Sequence, residues 1–68
     1  MAGYQVFEHT DGIDELVTDR VYPTASQAAR YARACAKRAS GTLYRVFAAD
    51  PRVTASCFEA LNDTWHWV

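Results

Sequence analysis

Seven alanines between residues 25 and 39, six of them at helical spacing on one arc, constrain this 68-residue chain more than any other feature. Alanine is the strongest helix former. The run opens after Thr24, with Gln27 three residues on, which is the spacing of a capping box. Gly41, just after Ser40, supplies the expected stop. At about 100° per residue, Ala25, Ala28, Ala29, Ala32, Cys35, Ala36 and Ala39 fall in one arc. Arg30, Arg33 and Lys37 fall nearly opposite it, and Tyr31 and Arg38 share a flank. A helix with so small an inner face sits close to its support, and the support must then supply the bulk of the core.

The flanking sequence reads as that support. "YQVFEH" (4–9) alternates, "TDG" (10–12) carries an Asp-Gly turn, and "IDELVTDRVY" (13–22) follows as a second extended run, a hairpin pattern. Pro23 ends it, since proline cannot donate to a strand ladder. Beyond the helix come "TLYRVFA" (42–48), a "DPR" turn (50–52), "VTASCFEA" (53–60), an "LND" turn (61–63) and "TWHWV" (64–68). The expected architecture is α+β: a single helix packed on one face of an antiparallel sheet of four to five strands, in the order ββαβββ, as one domain over 1–68.

A helix of about 16 residues is about 24 Å long and 10 Å wide, whereas five strands span nearly 20 Å (~4.8 Å each). One sheet face therefore lacks a second layer. Several of Tyr4, Phe7, Tyr44, Phe47, Phe58, Trp65 and Trp67 are expected at or near the surface, where apolar patches mark interfaces. A homodimer or a larger partner follows as an expectation. Trp65 and Trp67 alternate onto the same face, and at least one of them is expected in the core.

Half of the residues are apolar and 13% aromatic, which excludes intrinsic disorder. No apolar run approaches the roughly 20 residues of a membrane span. The opening "MAGYQVFEHT" shows no basic region followed by an apolar one, so a soluble cytoplasmic protein is expected. Cys35 falls on the inner face of the helix and Cys57 within a strand. Two free buried thiols are the expected state, and a disulfide between helix and sheet is the alternative.

Charge is segregated. The formal net charge is −1, yet the first nineteen residues hold Glu8, Asp11, Asp14, Glu15 and Asp19 with no Lys or Arg. Residues 30 to 38 hold Arg30, Arg33, Lys37 and Arg38 with no acid. A purely solvated helix usually mixes signs at i, i+4. Its absence here points to contact with phosphates or an acidic protein surface, against the plainer reading of a solvated face with Lys37 and Arg38 favoured at the negative helix end. The acidic hairpin reads as a solvated edge whose charges block aggregation.

Catalysis finds no support. GxxxxGK[ST], GxSxG, HExxH and GxGxxG are all missing. His9 and His66 are lone histidines, and Cys35 and Cys57 form no CxxC pair, so neither a metal nor a cofactor is expected. Ser40 and Ser56 lack a visible base, and Asp14 and Glu15 point to opposite faces of a strand. A non-catalytic binding protein is the expectation.

The element order, with "SQAARYA" opening the helix, "SGTLYRV" entering the third strand and "DTWHWV" closing the chain, resembles small phage-encoded anti-CRISPR inhibitors of type I-F surveillance complexes. Arm-type DNA-binding domains of phage integrases look similar at this level. The resemblance implies steric blocking of target DNA recognition, with protein subunits of the complex as partners and direct nucleic-acid contact as the secondary reading. By position, Gln27 and Arg30 match polar helix residues of the family, and Arg45 matches its third-strand arginine. Arg33, Lys37 and Arg38 have no one-to-one counterpart, because the helix here is one residue longer. Gln27, Arg30, Arg33, Lys37, Arg38 and Arg45 are thus the candidate partner-binding residues.

Overall fold

The computed structural model describes residues 3–68. Strands β1 (Tyr4–Thr10) and β2 (Ile13–Leu16) form a hairpin, followed by helix α1 (Ala25–Arg38) and strands β3 (Leu43–Ala48), β4 (Phe58–Leu61) and β5 (Thr64–Trp67). All pair antiparallel in the order β2-β1-β3-β4-β5. The expected α+β architecture and ββαβββ order are what the chain adopts, with the sheet at five strands.

Local chemistry accounts for the turns. Asp11 and Gly12 both take positive φ, 53° and 79°, as the two-residue loop of a tight hairpin demands. Thr24 caps α1 by accepting the Gln27 backbone N–H at 3.3 Å. The Gln27 side chain meets the Thr24 hydroxyl instead of the cap backbone, so half of the capping box forms. At the other end, the Ala39 N–H donates to the Cys35 carbonyl at 2.9 Å and Gly41 leaves at φ 87°. The Gly41 N–H then donates to Asn62 Oδ1 at 2.8 Å, tying the helix exit to the β4–β5 turn.

The hairpin's second run is shorter than the sequence predicts. Pairing stops at Leu16, followed by one further bond from the Val17 N–H to the Val6 carbonyl. Thr18 then offers its hydroxyl to the Arg20 N–H, a local partner that competes with the ladder. The chain rejoins the sheet at Tyr22 through a two-bond bridge to Tyr4. Gly3 gives room where this return passes: a Cβ there would lie 2.3 Å from Cγ1 of the exposed Val21, whose side chain would have to turn aside.

The fourth strand is also shorter, starting at Phe58 instead of residue 53. Val53 N–H closes a turn onto the Asp50 carbonyl, and Ser56 turns inward to donate to Glu59 at 2.9 Å. Cys57 therefore precedes the strand. Both Cys35 and Cys57 are free thiols, Cys35 buried and Cys57 half-buried.

The core forms where the alanine face meets the sheet. Ala28, Ala29, Ala32, Cys35 and Ala36 are buried against Val6, Tyr44, Val46, Phe58 and Ala60. Val6, Val46 and Phe58 are fully enclosed, so the sheet does supply the volume that the helix lacks. Tyr22 closes one end.

Candidate binding surface

Arg30, Arg33 and Lys37 lie exposed on the outer side of α1, converging around Ala34 in a shallow hollow of about 290 Å³. The 3- and 4-residue steps between them place all three on one stripe. Among the described residues, every ion pair belongs to His9, Arg45, Arg52 or His66. The ridge cations are uncompensated. Arg38, also exposed, stands on the flank away from the stripe. Gln27 lies at the start of the same flank, beside Arg20, Tyr22, Arg30 and Tyr31 in a groove of about 360 Å³.

On the opposite flank α1 meets the aromatic end of the sheet. Arg33 lies over the Trp65 ring, its guanidinium carbon 4.6 Å from the centroid. Trp65 and Trp67 both pack on Phe58, at centroid distances of 5.7 and 4.8 Å, and yet remain 44% and 48% exposed. Neither is a core residue, against the expectation for at least one. The helix covers β1, β3 and β4, and β5 lies beyond its edge. Ser26, Arg30, Arg33, Phe58, Trp65 and Trp67 thereby enclose a groove of about 200 Å³ between α1 and β5.

Arg45 does not join this surface. Strand alternation turns it to the uncovered face, where its Nε donates to Glu59 at 3.1 Å and one terminal nitrogen to Asp14 at 3.0 Å. Its other terminal nitrogen reaches Ser56 Oγ at 3.4 Å, and His9 Nδ1 lies 2.9 Å from Asp14. Phe7 and Phe47 pack edge-to-face beside this network at 5.1 Å. The guanidinium assigned to partner binding is thus engaged within the protein. The register Arg45↔Glu59 and the pairing of β1 with both β2 and β3 bring these charges together. Asp14 accordingly belongs to a paired network and not to a solvated acidic edge. A cross-strand reading of Arg45 and Glu59 would have found it, because both alternate onto the face that lacks the alanine helix.

Comparisons with known protein families, with curated proteins and with solved structures gave no match. Geometry alone describes what the surface offers. Among the described residues, no three His, Cys, Asp or Glu side chains come together to hold a metal ion. Burial pushes the Cys57 thiol above its usual range, and the Arg52 side chain holds the Asp50 carboxyl below its own. Among the described residues, no helix is long and apolar enough to cross a membrane. The surface provides fixed positive charge, aromatic area and shape, the means of recognition.

Proposed function

We propose that this protein is a non-catalytic binding protein that attaches to an anionic surface of a larger assembly through Arg30, Arg33 and Lys37. The observation that supports the reading is the missing compensation: three cations share one helix stripe, and no carboxylate of the described residues pairs with any of them. Such a stripe speeds encounter with an anionic partner and fixes its orientation. In its specific form, following the sequence resemblance, the protein is an anti-CRISPR inhibitor acting in the host bacterial cytoplasm. Bound to protein subunits of a type I surveillance complex, it would block target DNA sterically.

The test combines Arg30→Glu, Arg33→Glu and Lys37→Glu in one variant. All three side chains are exposed, so the fold is expected to survive, as circular dichroism would verify. Capture of the partner from a bacterial lysate should then be lost. Recovery at the wild-type level would remove the helix from the contact. For the anti-CRISPR form, adding the protein to a purified type I-F complex should abolish binding of target DNA, and unchanged DNA binding would refute that form.

A further inference from the structure

The groove between α1 and β5 differs from the rest of the ridge because its floor is aromatic. Trp67 stands opposite Phe58, and Trp65 opposite Ala60. The buried Phe58 ring carries both indoles, and the helix residue Ala29 lines the groove beside it. Two residues along a strand are about 7 Å apart, so the indoles follow each other along one line, Trp65 beneath the Arg33 guanidinium and Trp67 edge-to-face with Phe58 and 48% exposed. Arg33 is held against Trp65, and Arg30 lines both this groove and the hollow beside Lys37.

We infer that this groove binds single-stranded nucleic acid, with one base stacking on Trp67, a second on Trp65 as Arg33 swings from that ring to a phosphate, and further phosphates meeting Arg30 and Lys37. The inference rests on the reading of the ridge as the contact surface and names one ligand class for its inner flank. Sequence-independent single-strand sites combine a basic track with aromatic platforms, each base stack contributing about tenfold in affinity. A duplex keeps its bases stacked internally and has no use for two exposed indoles. An acidic peptide would pair with the cations and leave the same indoles unused. The acids of the first nineteen residues belong to the β1–β2 hairpin and its return, whereas β5 forms the opposite edge of the sheet. A net charge of −1 therefore does not oppose a strand approaching this groove.

Trp65 and Trp67 are the chain's two tryptophans, so indole emission reports on this groove and nothing else. Titration with an oligouridylate of about ten nucleotides should quench that emission. Neutralising up to three phosphates gives a slope of about −2 in log affinity against log salt. Arg30→Glu with Arg33→Glu should weaken binding at least about tenfold, and Trp67→Ala by about tenfold, the loss of one stacked base. Should Trp67→Ala fail to fold, Trp65→Phe with labelled-oligonucleotide anisotropy keeps the stacking arm in play: the smaller ring should weaken binding, and unchanged affinity would overturn stacking.

Lack of quenching and of anisotropy change at high micromolar oligonucleotide would overturn the inference. So would equal affinity for a matched duplex or for polyglutamate. If these fail while the triple reversal still abolishes partner capture, the single-strand inference falls and the proposed function stands. If capture survives the reversal, the proposed function falls whatever the oligonucleotide does.

Discussion

Arg45 and Glu59 stand directly opposite each other on β3 and β4, and Arg45 Nε donates to Glu59 Oε2 at 3.1 Å. The same guanidinium reaches Asp14 on the far side of β1. One side chain therefore links the hairpin to the C-terminal strands across the centre of the uncovered face. With these side chains only about a quarter exposed, the pairs are shielded more than surface ion pairs are.

Replacing Arg45 by Ala leaves Asp14 and Glu59 without their cation. The expected loss is about 2 kcal/mol, the range for hydrogen bonds to charged groups, read as a lower urea midpoint. Partner capture through the helix ridge should be unchanged. A variant of wild-type stability with impaired capture would return Arg45 to the binding surface.

Asn62 does two things at once, taking φ 55° in the β4–β5 turn and accepting from Gly41. Asn62→Gly keeps the turn and loses the clasp; Asn62→Ala loses both. The Gly variant should cost about 1 kcal/mol, and the Ala variant roughly 1 kcal/mol more for left-handed strain. Equal midpoints for the two variants would contradict this division.

Ala32 is fully buried where α1 crosses the sheet. Ala32→Leu should lower stability by about 1–3 kcal/mol through overpacking. It should cost more than Ala34→Leu, since Ala34 is exposed on the same helix. Reversal of that order would mean that the alanine face is not what sets the helix close to the sheet.

The Cys57 thiol titrates high because burial disfavours its thiolate. Its contribution to stability is fully present below the ordinary thiol pKa and is lost as pH rises through the raised one. Alkylation in the folded state should lag behind that in urea at pH 8, and Cys57→Ser should flatten the alkaline decline in urea midpoint. Equal labelling rates in the two states would show the thiol to be unprotected.

Much of the fold was legible because its signals are local. Thr24, the alanine arc, Gly41 and the Asp11–Gly12 turn depend on neighbours within a few residues. The strand limits at Leu16 and Phe58 were not, since the Thr18 hydroxyl takes the Arg20 N–H and the Asp50 carbonyl takes the Val53 N–H, local bonds that alternation does not register. The ridge cations were readable from helical period alone. Arg45 was misplaced because its partners Asp14 and Glu59 depend on which strand pairs with which. The closeness of Arg33 to Trp65 depends on where β5 falls relative to the helix, a matter of sheet order invisible in spacing.

That sheet order has an electrical consequence. The exposed Asp11 and Glu15 of the hairpin lie at one sheet margin, whereas Arg33 leans over Trp65 toward the other, so apart from Asp63 in the β4–β5 turn the charges nearest the two margins differ in sign. In the field of an approaching polyanion the molecule experiences a torque before any atom touches, one that turns the β5 margin forward and the hairpin away. Docking geometry is thus biased during diffusion, and added salt should slow association more than it speeds release.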